Sequence, residues 1–390
     1  MADMLTRNGI LALKIQADED TAATPTVGSD AIEVESPAVG PQSETVTTNE
    51  VTGSLDVRPP VVSRARGSAT FTALFKGSGA AATAPDVGAA LRCCGMSEAV
   101  TASAVTGTAQ AGGTTSTIVL ASGASATDDA YTGMRLAITG GTNNAYVGRI
   151  VSYVGSTKVA TVVPAAGSSF DNTSAYSIAA NVRYRPTSVI TEWASIWHWK
   201  RATGSGNSVV DKVTSALGSW ELTTPVGDVG RMAFTFAGRA VASSDVSDPG
   251  TPTYDNTRPV AYQGATTYLG GVVVRPTTWR VNFGATPVAT DDPNDSFGYG
   301  NAVLTTRSTT GSIQIPQTLL ANRDFFTLAR AQTQMSFAVS WGPAAGYRTT
   351  LVIPALIFNN RSDQDNQGVR QETIEFGAFG NDRGAFLVFD

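Results

Sequence analysis

NEVTGSLDVRPPVVSRARGSATFTALFKGSGAAATAPDVGAALRCCGMSEAV, residues 49–100, contains in sequence the three kinds of element on which the reading of this chain turns. A turn and an extended segment over 52–62 come first. An alternating strand follows, with Ala69, Phe71, Ala73 and Phe75 on one face and Thr70, Thr72 and Leu74 on the other. A short helix closes the stretch. Pro85 suits its first turn, where a missing N–H costs no hydrogen bond, and Asp86 faces the positive end of the helix dipole. Val87, Ala90, Leu91 and Cys94 share one helical face, and Gly95 is placed for a left-handed cap.

On the N-terminal side, residues 9–18 alternate, with Leu11, Leu13 and Ile15 set against Ala12, Lys14 and Gln16, and read as a strand. A second short strand covers 31–35. Residues 36–50 are polar and hold Pro37, Gly40 and Pro41, which predicts a long loop or arm. Arg58, Arg64 and Arg66 form the densest basic cluster of the first hundred residues. No aromatic side chain is interleaved with them as in a single-strand nucleic-acid platform, so surface charge or pairing with acids is the plainer use.

On the C-terminal side, residues 106–180 change character: Gly, Ser, Thr and Ala dominate, charge thins out, and short strands recur between turns, as in a small all-β module. Tyr131, Tyr146, Tyr153 and Tyr176 suit its packing, with a glycan site as the other use. Residues 189–200 form an aromatic strand with Trp193, Trp197 and Trp199 on one face and the single histidine, His198, on the other. Residues 220–224 and 231–241 pair across a turn. Residues 246–256, rich in Pro, Asp and Ser, read as a linker. Beyond it the elements begin again: an extended stretch, a polar loop at 285–296 with Asp291, Asp292 and Asp295, a strand to Pro316, a helix at 324–332, and strands at 334–341 and 348–357. Residues 370–376 and 384–389 are expected to form a closing hairpin. Thr310-Gly311-Ser312-Ile313-Gln314-Ile315 echoes Thr52-Gly53-Ser54-Leu55-Asp56-Val57, which suggests an internal duplication.

The order of arm, strand and short helix, with Leu91-Arg92-Cys93-Cys94-Gly95 followed by Ser97-Glu98, resembles the tail tube proteins of long-tailed, siphovirus-type bacteriophages. Excising 106–180 joins residues 100–105 to residues 181–188, which contain Tyr184-Arg185-Pro186-Thr187-Ser188, and continues that pattern. The resemblance implies a mainly β fold: two tandem tail-tube domains of β-sandwich or barrel type with short flanking helices, at 1–105 with 181–245 and at 257–390, and a surface β module inserted at 106–180. It implies a structural virion protein whose rings stack into a conduit for DNA ejection. Rings in that family present six tube domains, so a two-domain chain implies a trimer with pseudo-sixfold symmetry, and a one-domain chain a hexamer. The implied partners are further copies of the chain, the tape measure protein and genomic DNA in the lumen, and tail terminator and distal tail proteins at the ends. The implied location is the virion tail, after assembly in the host cytoplasm. Contacts between subunits or rings are expected from Gln42, Glu44, Thr47, Glu50, Asp56, Arg58, Arg64, Arg66, Asp291, Asp292, Asp295 and Arg307.

Composition is compatible with this. Charged residues make up 15%, well below the usual quarter, as suits a surface largely covered by neighbours. The net charge of −5 disfavours wrapping DNA by phosphate neutralisation and favours a neutral or acidic wall past which DNA slides. No apolar run is long enough for a membrane span. Cys93 and Cys94 are sequence neighbours, better suited to burial than to a disulfide or a metal. One histidine leaves little for metal hydrolysis or a Ser–His–Asp triad, and no phosphate-binding loop motif occurs, so neither an enzyme nor a cofactor is expected. The Asp291–Asp295 cluster lacks EF-hand spacing. The competing readings are a distal tail or hub protein of the same fold, a glycan- or receptor-binding virion protein, and a secreted carbohydrate-active enzyme using paired carboxylates.

Overall fold

The alternation in ATFTALF sets the first sheet. In a computed structural model describing residues 3–204 and 206–390, the strand Val61–Leu74 buries Ala69, Phe71 and Ala73, with Phe75 just beyond its end, and turns Thr70, Thr72 and Leu74 outward. It lies between Val34–Val46 and Arg231–Ser247, where Phe71 stacks on Phe234 and Phe236 with ring centroids 5.2 and 5.9 Å apart. Gly67 is required here, because a Cβ at that position would come within 2.6 Å of the Arg239 carbonyl oxygen.

The fold is mainly β, with two short α-helices among the described residues. In the first half, Ile10–Gln16 pairs with Trp193–Arg201, that strand with Asn207–Pro225, and that in turn with Arg231–Ser247. The short strand Ala31–Ile32 pairs back onto Ile10–Gln16. The second half repeats this pairing order, without counterparts of Met96–Thr101 and Asn181–Pro186, which flank the inserted residues. Thr266–Leu269 pairs with Met335–Trp341, then Thr349–Asn366, then Val369–Ala378, then Thr310–Pro316, then Thr278–Asn282. Val272–Val273 pairs back onto Thr266–Leu269 as Ala31–Ile32 does onto its own first strand. The helices occupy matching places, Gly88–Cys93 after Val61–Leu74 and Phe325–Arg330 after Thr310–Pro316. The first helix is packed tightly, with Ala90, Leu91 and both cysteines fully buried, and it ends at Gly95 with φ +81°. The second is capped by the Asp324 carboxylate, which accepts the Thr327 N–H at 3.1 Å, and buries only Phe325.

Several expectations need correction. Residues 36–50 are not a loop: most belong to the strand Val34–Val46, paired with Val61–Leu74. Proline and glycine are tolerated because the strand is hydrogen-bonded on one side only and its register shifts between Glu35 and Ala38 and between Ser43 and Thr45. Likewise Ala285–Asp291 is a strand, paired with Tyr299–Arg307. The Thr-Gly-Ser echo does not mark the duplication. Thr310–Pro316 is a paired strand, whereas residues 52–57 lie exposed and unpaired, and the connectivity matches Thr310–Pro316 to the end of Val61–Leu74. Residues 370–376 and 384–389 do not pair with each other. Val369–Ala378 forms a hairpin with Thr349–Asn366, and Phe386–Phe389 lies between Asn181–Pro186 and Thr349–Asn366.

The halves share one sheet system and one core. Thr278–Asn282 is hydrogen-bonded both to Thr310–Pro316 and to Glu221–Pro225 of the first half. Trp279, fully buried at that junction, sits among Tyr262, Phe337 and Trp341.

Residues 105–178 form a separate six-stranded sheet over their own core, including Ile118, Leu136, Ile150, Phe170 and Ile178. Tyr131, Tyr153 and Tyr176 are buried in it, and the Tyr146 hydroxyl donates to the Pro164 carbonyl at 2.6 Å, so these rings pack the module instead of lining a glycan site. The insertion point is a cross-strand pair: Thr101 faces Asn181, and Val105 faces Ile178 further out. The module also docks sideways on the second half. Val151 and Val163 meet Tyr268, Ala338, Val352 and Phe386, and the buried Arg149 guanidinium reaches Asp390 at 3.1 Å and the Ser340 hydroxyl at 2.6 Å.

Candidate assembly surface

The two long hairpin arms carry most of the residues expected to make contacts. The first arm consists of Val34–Val46 and the opening part of Val61–Leu74, joined by residues 47–60, which have no regular structure. The second consists of Ala285–Asp291 and Tyr299–Arg307. These positions in the two halves correspond, because each arm runs on from the strand that pairs beside the helix-bearing hairpin.

The second arm is docked. It lies across Asn207–Pro225 and Arg231–Ser247 of the first half. The Trp193 indole N–H donates to the Ala302 carbonyl at 3.0 Å, the Ala65 N–H to the Phe297 carbonyl at 3.0 Å, and the Asn301 amide to Glu19 at 2.8 Å. A Cβ on Gly95, at the end of the first helix, would come within 2.9 Å of Leu304, so the arm also covers that helix end.

Among the expected contact residues, Glu44, Arg64 and Asp291 come together. The Arg64 guanidinium reaches the Glu44 carboxylate at 3.1 Å and Asp291 at 2.6 Å, and it lies 4.6 Å from the centre of the Tyr299 ring. The Tyr299 hydroxyl donates to Glu44 at 2.8 Å. That hydroxyl bond, together with Arg64, holds Glu44 below the ordinary carboxylate range, while the Glu44 carboxylate raises both Arg64 and Tyr299. Asp295 pairs with Arg239 at 3.5 Å, and Asp292 accepts the Asn294 N–H at 2.9 Å to set the turn. Glu44, Arg64, Asp291 and Tyr299 thus meet within one chain, between its halves. Arg307 lies apart, bonded to Asp382 and to the Thr187 carbonyl at 2.9 Å. Gln42 pairs in register with Arg66 on the first arm. Thr47, Glu50, Asp56 and Arg58 lie on its exposed connection, where Arg58 meets Glu50 at 2.9 Å and Ser54 caps Asp56 at 3.1 Å. Sequence reasoning missed Tyr299 and Arg239. The one signal for Tyr299 was an aromatic residue four positions beyond an acidic turn.

The connection of the first arm and the start of the strand after it expose several large apolar side chains. Val51 and Leu55 are fully exposed, and Val57, Val61 and Val62 largely so. On the second half, the face corresponding to the one that receives the second arm is open. The side of Thr349–Asn366 away from Val369–Ala378 is covered by Met335–Trp341 only as far as Leu356. Beside it lies a cleft of about 650 Å³ lined by Phe325, Phe326, Ala329, Arg330, Phe358 and Arg361, with Phe326 62% exposed.

Among the described residues, no helix is long and apolar enough to cross a membrane, and no group of three or more His, Cys, Asp or Glu side chains is placed to hold a metal ion. Comparison with protein-family models and with curated proteins finds no match to this chain.

Proposed function

We propose that this chain is a structural subunit that closes into rings, which stack into the tail tube of a long-tailed bacteriophage. The observation that carries the reading is the repeated connectivity. One half accepts an arm from the other within the chain, while the other half's corresponding face and the first arm's apolar connection are exposed. A surface that can only be satisfied by the next copy generates a ring when the rotation closes. Two tube-type domains per chain make a trimeric ring with pseudo-sixfold symmetry the preferred form, with a hexamer as the alternative. The phage assignment rests on the sequence pattern around Leu91–Gly95 and Tyr184–Ser188. From it follow the virion location, a DNA-conducting lumen, the tape measure partner, the terminator and distal tail partners at the ends, and a non-enzymatic role. The low charge and net charge of −5 favour a lumen that does not hold DNA.

Negative-stain electron microscopy of the purified chain tests the reading. Rings or tubes with threefold end-on averages are expected, and replacing residues 49–58 by a short Gly/Asn turn is expected to leave a folded chain that no longer stacks. Only monomers, at all concentrations reached, would refute it.

A further inference from the structure

We infer that the first arm of one copy docks on the second half of another, across the cleft beside the helix Phe325–Arg330 and along residues 357–366. The occupant is a second copy of this chain, so the inference rests on the self-assembly reading and specifies its contact.

The argument is one of equivalence within the chain. In the first half, the end of Asn207–Pro225 extends beyond Trp193–Arg201, and its free edge is filled by Thr278–Asn282. The arm that runs on from Thr278–Asn282 then covers the sheet face and the end of the first helix. In the second half, Thr349–Asn366 likewise extends beyond Met335–Trp341, but its edge is unfilled. The strand corresponding to Thr278–Asn282 is the start of Val34–Val46, which is hydrogen-bonded only to Val61–Leu74. Each unused surface is therefore the counterpart of one side of an interface that the chain already makes.

The helices carry the same asymmetry. The arm-covered helix Gly88–Cys93 buries Ala90, Leu91 and Cys93 completely, whereas Phe325–Arg330 buries Phe325 and leaves Phe326 in solvent. Leu304 on the second arm reaches the end of the first helix. On the first arm the apolar residues placed for the equivalent contact are Val61 and Val62, 57% and 67% exposed. The edge itself carries Asn359, Asn360, Arg361, Asp363 and Asp365. Such an edge resists indiscriminate strand pairing, so the apolar contact with the helix supplies the selectivity.

Variants with one added cysteine test this directly, because Cys93 and Cys94 are fully buried and do not compete for oxidation. Val61→Cys and Phe326→Cys chains, mixed and oxidised after assembly, are expected to give a covalent dimer that neither gives alone, and the double variant a ladder ending at the ring number. Phe326→Asp, at an exposed position that leaves the monomer fold intact, is expected to lower ring yield at least tenfold with an unchanged melting temperature. If wild-type rings form but the mixed dimer does not, or if Phe326→Asp assembles normally, the inference is overturned while the self-assembly reading stands. If the wild-type chain forms no rings, both fall.

Discussion

Replacing Arg149 by Met isolates the attachment of the inserted module to the body. The Arg149 side chain is 8% exposed and bridges Asp390, whose side chain is 1% exposed, and Ser340, which also accepts the Thr350 hydroxyl. Burial pushes the Arg149 guanidinium down from its usual range, and Asp390 works against that. Removing one member of a buried pair costs about 3–5 kcal/mol, because the other charge is left without compensation. Two features bring the expected cost toward the lower end. Asp390 keeps Arg348 at 3.6 Å, and a Met side chain fills the apolar surroundings supplied by Val151, Val163 and Val352. The expected loss is about 3 kcal/mol, expressed as undocking of the module ahead of global unfolding, since residues 105–178 have their own core. Hydrogen exchange should show lost protection at Ser340–Trp341 and Thr349–Val352, with the amides of Ile150 and Val162 less affected. Adding Asp390→Asn to Arg149→Met should recover part of the loss by removing the orphaned charge. A loss below about 1 kcal/mol with unchanged protection at the docking face would refute this account of the attachment.

Trp279→Ala empties the junction where the two halves share a strand and should cost about 3–5 kcal/mol; a single, shifted urea transition is expected, and two separate transitions would show that the halves do not share a core. Asp86, desolvated beside Lys76, has its pKa raised to about 6. A folded-state pKa above the unfolded value of about 3.9 means that Asp86 ionisation is a cost to the native state, absent at pH 4 and fully present at pH 7. Asp86→Asn should therefore gain stability relative to the wild type as pH rises from 4 to 7, by up to about 3 kcal/mol. Urea midpoints at the two pH values read this, and a difference independent of pH contradicts it. Asp324→Ala, which removes the cap of the second helix, should cost about 1 kcal/mol in thermal unfolding, and no loss would mean that the capping bond is not formed.

What the sequence disclosed and what it hid follow from the range of the interactions involved. Alternation in Ala69–Phe75 and the helical spacing of Ala90 and Leu91 report local environments; the strand is where it was expected, and the helix begins at Gly88, with Pro85 and Asp86 in the segment before it and not in its first turn. The module was legible because a Gly/Thr-rich run with regular turns is self-contained. The first arm was hidden because Pro37, Gly40 and Pro41 are loop residues everywhere except on a strand bonded on one side. The repeated connectivity was hidden for another reason. It consists of pairings such as Phe71 with Phe234 in one half and Ile313 with Ile374 in the other, whose partners are far apart in sequence and whose side chains differ between the halves. A six-residue Thr-Gly-Ser match is too common a turn chemistry to substitute for them. Among the expected contact residues, Glu44, Arg64 and Asp291 were recognisable as charges, but only the register of two arms shows that they meet.

The Thr101–Asn181 pair has a practical meaning. Facing residues on antiparallel strands have Cα atoms about 5 Å apart, so to the rest of the molecule the whole module is a hairpin loop. The entropic penalty of a loop grows only with the logarithm of its length, and a folded insert whose own ends meet brings little strain. The site is therefore a socket. A binding domain, a fluorescent reporter or a bare two-residue turn could be spliced there, provided that Asp390 and the apolar patch around Phe386 are given new cover or polar replacements. By the same reasoning, genetic exchange at this one position can change the exterior of the molecule while the strand pairings beneath it stay as they are.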